Sequence, residues 1–474
     1  MTRRLPTILL ILIALLCGCG GDSGVDDPRR DAVDAAVREK YGMSLDELPV
    51  LNLQVISPHH ESIQNEFEWA FSLWHAEHYG KRVRIEWRDV GGGSSTINTY
   101  LSNIYARRDT ADIDVLWGGG EFVFRGLAAD GLLEEMDLPA EILEQIPANW
   151  GGQQMMDRKQ RWIGSAVSGF GFIYNRELLD RCEIDPPVAW DDLADGRFSD
   201  LISLADPSQS GSAAAAYQMI ARSGHTWPEG WAKLMMVLSN AKRFNDSAGS
   251  AANAPLLGEA LVATCIDFYG AIRVAEAPEV MVYVSPKGQT TFTPDPIGIL
   301  KNPPKPELAR RFVRYVLSRQ GQMLWSGRVG AEHGPARFPL GRQPIRRDAY
   351  DRPAENTLPW IVNPYRKGQS MQLEGHRAKV DYGVLRQLVW AAAVSNREDM
   401  QAARKTLNAM KRDPDRRDIY RAKLERFVAL PPDVATLEAM AETKQRMKDD
   451  DEARKIVLNW QAFFRETFQQ VAGE

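Results

Sequence analysis

Apolar, strand-like runs alternate with segments that repeat apolar residues at helical spacing over much of the chain. Residues 48–57 (LPVLNLQVIS) are strand-like, and residues 61–80 place apolar side chains at the spacing of a helix that Gly80 ends. The strand-like runs RVRIEW (82–87) and DIDVLWG (112–118) are each followed by a helical pattern. This alternation predicts an α/β fold with a largely parallel sheet.

Four loops of this predicted sheet have a similar composition of small, polar and aromatic residues. SPHHE follows the first strand, GGGSS the second and WGGG the third, and SGFG lies beside a later strand. Each loop alone predicts only a turn, because glycine is common in loops. Loops at the carboxyl ends of parallel strands meet at one crevice, so together they indicate a pocket rim. The candidate ligand-binding residues in these loops are Ser57, His59, His60, Glu61, Ser94, Ser95, Trp117, Gly118 and Ser168.

Two later segments add polar residues at the ends of predicted elements. DPSQSGSAAAAYQMIA places Ser210, Gly211 and Ser212 at the start of an alanine-rich helix, where free N–H groups and the helix dipole favour an anionic or polar group. Simple helix capping explains these three residues equally well. The apolar run ALVATCI ends at Asp267 and Tyr269, an acid and a phenol that are further ligand candidates.

Composition excludes several classes of protein. A chain of 474 residues with 44% hydrophobic residues can bury two or three cores. Its net charge of −5 and the lack of a compact basic cluster argue against nucleic-acid binding. No P-loop, zinc-protease or nucleophile-elbow motif is present, so we expect neither catalysis nor a resident cofactor.

The amino terminus predicts export. MTRRLPTILLILIALLCGC combines two arginines with an apolar run that is too short to span a bilayer. Its end, LCGC, resembles a lipobox, which makes Cys19 the expected lipidated first residue after a signal peptide of residues 1–18. An ordinary signal peptide cut nearby is the alternative. Residues 20–30 are expected to form a flexible tether, and Cys182 and Cys265 are left as a pair that could form a disulfide.

Three stretches carry a family resemblance. VISPHHESIQNEFEWAF (55–71), ADPSQSGSAAAAYQMIA (205–221) and FTPDPIGILKNPPKPELARRFVRYVLSRQGQMLW (292–325) resemble landmarks of the iron(III)-type solute-binding proteins of bacterial ABC importers. The resemblance covers roughly residues 51–325. It implies a two-lobe type 2 periplasmic-binding fold with these segments: a signal peptide (1–18), a tether and N-terminal segment (19–49), lobe one (50–165 and 280–340), lobe two (166–279) and a C-terminal, mostly helical extension (341–474).

The resemblance also implies a function and partners. We expect an exported, lipid-anchored monomer that faces the periplasm or the cell exterior and delivers a small molecule or metal ion to an ABC permease and its ATPase. The alternative is a surface sensor or interaction protein that uses the same fold without transport. The amphipathic C-terminal helices are expected to pack back on the lobes, with a separate docking module as the alternative.

The nature of the solute is less determined by the sequence. Ferric-binding relatives use adjacent tyrosines with a histidine and an acid, so His59, His60, Asp267 and Tyr269 would be the ligands if the solute were ferric iron. Here the matching place reads Asp-Phe-Tyr, which lacks one tyrosine and puts iron in doubt. The rim loops contain no Lys or Arg, which favours a metal cation or a polar, cationic organic solute. Only one of the two adjacent histidines is expected to face the pocket.

Overall fold

The computed structural model describes residues 27–91, 94–411 and 413–473. Its strands are β1 Val50–Ile56, β2 Arg82–Arg88, β3 Val115–Trp117, β4 Asn149–Trp150, β5 Gln153–Gln154, β6 Ile163–Ser168, β7 Phe170–Asn175, β8 Ile202–Ala205, β9 Ala241–Asn245, β10 Val262–Ile266, β11 Met281–Val284, β12 Thr293–Ile299 and β13 Gln343–Pro344.

Helices surround these strands. They are α1 Pro28–Tyr41, α2 Glu61–Tyr79, α3 Ser94–Tyr105, α4 Glu121–Ala129, α5 Ala140–Leu143, α6 Arg176–Arg181, α7 Trp190–Leu193, α8 Gly211–Arg222, α9 Trp227–Leu238, α10 Ala248–Asn253, α11 Asp267–Glu276, α12 Pro306–Leu317, α13 Arg319–Ser326, α14 His376–Lys379, α15 Tyr382–Val389, α16 Arg397–Lys411, α17 Arg417–Phe427, α18 Leu437–Arg446 and α19 Asp450–Ala472. Short 3₁₀ turns occupy Leu45–Glu47, Gly196–Phe198, Arg347–Tyr350, Ala354–Asn356, Pro414–Arg416 and Pro432–Val434, and a π-helical turn spans Trp390–Val394.

The strands form two main sheets, each the centre of one lobe. Lobe one has the strand order β13-β6-β12-β3-β1-β2, in which β1 runs parallel to β2 and β3 while β12 runs antiparallel to β3 and β6. Lobe two has the order β11-β7-β10-β8-β9, in which β10-β8 and β8-β9 are parallel. The predicted two-lobe α/β fold is confirmed, with sheets that are mixed because the returning strands run antiparallel.

Three segments cross between the lobes side by side. The chain passes from β6 to β7 through Gly169, and it returns between β11 and β12 through Thr290. The Thr290 hydroxyl accepts a hydrogen bond from the Phe170 N–H at 3.1 Å, and its carbonyl accepts one from the Met371 N–H at 2.7 Å. Met371 belongs to a third crossing segment, residues 364–380, which we call the strap.

The strap is bound to both lobes. In lobe one the Leu373 N–H donates to the Gly151 carbonyl at 2.8 Å, and in lobe two the Gln218 side chain donates to the Val380 carbonyl at 2.8 Å. The sequence analysis treated this segment only as the start of a C-terminal extension. Its role was missed because a strap without periodic apolar residues has no signature in one sequence.

Three predicted boundaries differ from the structure. Met281–Val284 pairs with β7, so this strand belongs to lobe two and not to the lobe-one segment 280–340. Gln343–Pro344 pairs with β6, so the lobe-one sheet extends past residue 340. Residues 28–30 of the expected tether begin α1, and Asp27 is buried and accepts a hydrogen bond from the Trp69 indole at 2.8 Å. The signal peptide, Cys19 and tether residues 20–26 lie outside the described residues.

The helices from α15 to α19 extend the core of lobe two. Phe464 and Trp460 of α19 are buried in the same apolar cluster as strand β8 and helices α8 and α9. The rings of Phe464 and Trp231 of α9 lie 5.8 Å apart between centroids. These helices therefore pack on lobe two, as expected, and do not form a detached module. The two cysteines Cys182 and Cys265 are free, the first exposed and the second buried.

Substituting one buried residue of α19 should destabilise lobe two. Phe464→Ala leaves a cavity between α19 and α9, and we expect it to lower the free energy of unfolding by about 3–5 kcal/mol. Leu458→Ala on the same helix is the matched control, because that side chain is 62% exposed, and its effect should stay within about 0.5 kcal/mol. Urea unfolding followed by circular dichroism measures both. Equal effects of the two substitutions would mean that α19 is not part of the lobe-two core.

Candidate functional site

The two adjacent histidines of the first-strand loop have different environments. His60 is the N-cap of α2, where its Nδ1 accepts the Ser62 N–H at 3.2 Å, and it is exposed. The His59 side chain is only 6% exposed and lies edge-on to Trp117, with ring centroids 4.7 Å apart. One histidine therefore points inward and the other caps a helix. Ser57 accepts the His59 N–H at 3.1 Å, and Glu61 is an exposed residue of the first turn of α2.

Glycine is required where the WGGG loop passes His59. Gly118 has a φ of 85°, and a Cβ atom there would lie 2.7 Å from His59 Nε2. The next residue, Gly119, has a φ of 101°, and a Cβ atom there would lie 3.1 Å from the Ser94 hydroxyl oxygen. The starts of α2, α3 and α4 are thus brought together. The side chain of Ser95 lies outside the described part of the structure.

A buried ion pair joins this loop cluster to later parts of the chain. Asp295 of β12 accepts from Arg342 Nη1 at 2.5 Å, and its Oδ2 lies 2.7 Å from His59 Nε2. The other oxygen of Asp295 accepts the Gly119 N–H at 3.1 Å. Arg342 Nη2 donates to the Ser168 hydroxyl at 2.9 Å, at the end of β6. The Arg342 and Asp295 side chains are 5% and 11% exposed, so the pair is largely removed from water.

The charge state of this cluster follows from its burial. Burial opposes the ionisation of Asp295, but the Arg342 guanidinium and His59 together hold the pKa of Asp295 well below its usual range. Burial also lowers the pKa of His59 and outweighs the attraction of Asp295, whose charge Arg342 already neutralises. The cluster of a neutral His59, Asp295 and Arg342 then carries no net charge at neutral pH.

Lobe two meets this cluster at the start of α11. Asp267 accepts the Gly169 N–H at 2.9 Å and the Phe268 N–H at 2.8 Å, and it also bonds to the Ser168 side chain. Burial raises the pKa of Asp267 to about 6. The Phe268 ring lies 5.0 Å from the Arg342 guanidinium carbon, which is a cation–π contact. Asp267 and Tyr269, which the sequence analysis placed at the end of a strand, lie in the first turn of α11, directly after β10 ends at Ile266.

We call His59, Ser168, Asp267, Asp295 and Arg342 the interlobe site. Tyr269 lies beside Phe268, with ring centroids 4.5 Å apart, and approaches Gly249 near the start of α10. Burial raises the pKa of Tyr269. The first turns of α10 and α11 in lobe two are therefore close to each other, as the starts of α2, α3 and α4 are in lobe one.

The serine-glycine-serine stretch of lobe two makes mainly local contacts. The Ser210 hydroxyl caps α8 by accepting the Ala213 N–H at 3.3 Å and lies 3.3 Å from the Ser212 hydroxyl. The Gly211 carbonyl accepts from the Tyr382 hydroxyl at 3.0 Å, so helix α15 of the C-terminal extension covers this loop. Capping therefore accounts for Ser210, and the contacts of these residues do not include the interlobe site.

The proposed ferric ligands are not assembled around one point. His60 bonds to Ser62, His59 bonds to Asp295, and Asp267 bonds to backbone N–H groups. Among the described residues, no group of three or more His, Cys, Asp or Glu side chains could hold a metal ion.

Sequence reasoning missed the two residues at the centre of the site. Asp295 lies within the third landmark stretch, and an acid inside an otherwise apolar strand was a readable signal. Arg342 comes after residues 51–325, which carry the family resemblance. It lies in a turn-rich segment, and the pattern of that segment does not predict where its side chains lie in the fold. The rim loops themselves contain no Lys or Arg, but the charge of the site could not be inferred from them alone, because a long-range contact brings Arg342 to His59, 283 residues away in sequence.

The family profile described as bacterial extracellular solute-binding protein matches residues 110–363, which is more than half of the chain. The chain belongs to this family. The predicted extracellular solute-binding family is confirmed by this profile. No described helix is both long enough and apolar enough to cross a membrane.

Curated relatives match parts of the chain. The phosphoglycerate transport regulatory protein PgtC of Salmonella typhimurium is 24% identical over 42% of this chain and 48% of its own length. The chain thus spans about half the length of that relative. A putative 2-aminoethylphosphonate-binding periplasmic protein of Salmonella paratyphi A is 24% identical over 52% of this chain and 68% of its own length.

Solved structures share the fold. The periplasmic binding protein AfuA from Actinobacillus pleuropneumoniae, with exogenous fructose-6-phosphate bound, aligns with a TM-score of 0.55 and 18% identity over 72% of this chain and 98% of its own. This likeness establishes the two-lobe fold and leaves the solute open.

The charge state of His59 can be tested by its effect on stability. The folded protein resists protonation of His59, whereas the unfolded chain takes up the proton below pH 6.5, so this residue makes the fold less stable as the pH falls. We therefore compare the melting temperatures of wild type and His59→Gln. The melting temperature of wild type minus that of the variant should decrease as the pH is lowered from 7.5 to 5.5. At most this contribution is about 1.4 kcal/mol per pH unit. A relative melting temperature that rises on acidification would mean that His59 is protonated in the fold.

Proposed function

We propose that this protein is the extracytoplasmic receptor of an importer and that its interlobe site binds a small solute carrying a phosphate or phosphonate group. The observation that carries the proposal is Arg342, a nearly buried guanidinium at the junction of both lobes. A guanidinium with several donors in a fixed plane suits a tetrahedral oxyanion. The earlier preference for a cationic solute depended on the absence of such a residue.

Backbone N–H groups around the pair of Arg342 and Asp295 support an anion. Asp295 neutralises Arg342 and Asp267 is mostly ionised at neutral pH, so the attraction for an anion has to come from the other groups around the pair. These include the closely spaced starts of α2, α3 and α4, whose N–H groups and dipoles favour negative charge. The Nε–H group of Arg342 is buried and has no hydrogen-bond partner in the described part of the protein. Such a donor gains stability when a ligand oxygen accepts from it.

The names of the similar proteins support the same class of solute. They refer to phosphoglycerate, to 2-aminoethylphosphonate and, for the solved structure, to bound fructose-6-phosphate. These solutes share a phosphoryl or phosphonyl group and differ in the rest of the molecule. Because the identities are low, the shared group is the part that we extend to this chain.

Binding would be coupled to closure of the two lobes. A solute that contacts both Arg342 of lobe one and the start of α11 in lobe two binds the closed arrangement more tightly than the open one. The difference between these two affinities sets how far the solute shifts the protein toward the closed arrangement. The closed form is then the one offered to a membrane permease and its ATPase. The strap is a third connection, beside the two strand crossings, that any such motion has to bend.

The solute class can be tested by calorimetric titration. We expect 3-phosphoglycerate, 2-aminoethylphosphonate or fructose-6-phosphate to bind at least tenfold more tightly than ferric citrate or spermidine. Arg342→Gln should weaken binding by roughly 10- to 100-fold, which corresponds to about 1.5–3 kcal/mol for a charge-assisted hydrogen bond.

The control separates binding from stability. Removing Arg342 leaves Asp295 unpaired, which should cost about 3–5 kcal/mol of folding stability, so the double variant Asp295→Asn/Arg342→Gln is titrated as well. Arg346→Gln is the matched buried control, because Arg346 pairs with Asp348 and not with the site. Binding of ferric citrate or spermidine in preference to all the phosphorylated solutes would contradict the proposal.

Membrane attachment through Cys19 is a separate proposal. It is supported by LCGC after a short apolar run at the amino terminus. We expect radiolabelled palmitate to be incorporated into wild type and Cys17→Ser but not into Cys19→Ser. Labelling of Cys19→Ser would contradict this assignment.

A further inference from the structure

A polar cavity lies between the lobes and the strap. Its volume is about 390 Å³. Lobe one contributes Glu121 and Arg125 from α4 and Gln153 from β5, lobe two contributes Arg222 from the end of α8, and the strap contributes Ala378. None of these residues belongs to the interlobe site described above.

Arg222 in this cavity has a buried hydrogen-bond donor without a partner among the described residues. Its Nη2 donates to the Val380 carbonyl at 3.1 Å, and its Nε atom is buried without a hydrogen-bond partner in the described part of the protein. Burial lowers the pKa of Arg222 to about 10, so the guanidinium is still charged at neutral pH. A desolvated cation held by a single carbonyl is poorly compensated.

The two carboxylates near Arg222 are already paired with other groups. Glu121 accepts from the Gln153 amide at 2.5 Å and from Arg125 at 3.2 Å. Asp381 pairs with Lys444 at 2.6 Å. Neither forms an ion pair with Arg222 in the described residues. The charged groups that line the cavity are two arginines and one glutamate, so its net charge is positive.

We propose that this cavity is a second anion site, which takes a small molecule carrying a carboxylate or a phosphate group against the Arg222 guanidinium. An oxyanion there would supply the acceptor that the buried Nε–H group lacks within the described residues. Because both lobes and the strap line the cavity, the anion would bridge all three parts and favour one angle between the lobes. The inference goes beyond the solute-binding function and does not depend on the identity of that solute.

Equilibrium dialysis with radiolabelled inorganic phosphate at constant ionic strength tests the proposal. Ala378→Glu places a carboxylate at an exposed position beside Arg222, and Ala378→Gln adds the same volume without the charge. We expect Ala378→Glu to weaken one class of phosphate binding at least tenfold and Ala378→Gln to preserve it. Arg222→Gln should have the same effect as Ala378→Glu. We expect excess malonate to displace this phosphate, because the proposed site accepts either oxyanion, and phosphate that stays bound would overturn the carboxylate part of the proposal.

Parallel measurements on Arg342→Gln distinguish the two sites. If both proposals hold, Arg342→Gln removes a different class of phosphate binding and leaves the class that Ala378→Glu removes. Loss of all phosphate binding in Arg342→Gln, with no difference between Ala378→Glu and Ala378→Gln, would overturn the second site and leave the solute site intact. Loss in Ala378→Glu with none in Arg342→Gln would support the second site and contradict the role of Arg342.

Discussion

The buried pair of Arg342 and Asp295 is the interaction on which the arrangement of the interlobe site depends. Asp295 alone could not stay ionised at this depth, and Arg342 alone would be an uncompensated cation. Together they orient His59, the Gly119 N–H and the Ser168 hydroxyl around one point. Because Arg342 also contacts Phe268, the same guanidinium connects lobe one to the first turn of α11 in lobe two.

The third connection between the lobes distinguishes this architecture from two lobes joined by two strands. The strap bonds to Gly151 in lobe one, to Thr290 in the crossing and, at Val380, to α8 in lobe two. The helices that follow it share the lobe-two core, so lobe two is larger than its sheet alone would require. The proposed closure of the lobes would therefore move the C-terminal helices together with lobe two and would have to bend the strap.

Local features of the fold could be predicted from the sequence because they depend on neighbouring residues. The order β1-α2-β2-α3-β3-α4, the end of α2 at Gly80 and the cap at Ser210 all follow from periodicity and capping. The expectation that only one histidine faces inward also had a local cause, the divergence of adjacent loop side chains.

The centre of the site could not be predicted in the same way. Arg342 contacts Asp295, 47 residues away in sequence, and His59, 283 residues away. The local pattern of its turn-rich segment does not predict which residues the Arg342 side chain contacts. The charge of the site was therefore inferred from an incomplete set of residues, and this led to a preference for a metal cation or a polar, cationic solute. The packing of Asp27 against Trp69 was missed for the same reason, since a contact 42 residues away decides it.

The central claim is that Arg342 holds an anionic, phosphorus-containing solute between the lobes. Native mass spectrometry of the protein purified from its own host tests it most directly, because a retained solute is weighed without choosing candidates. The account predicts a bound mass whose fragments contain phosphate or phosphonate and that is absent from the Arg342→Gln protein. A retained ferric ion or polyamine, or a solute that persists unchanged in Arg342→Gln, would contradict it.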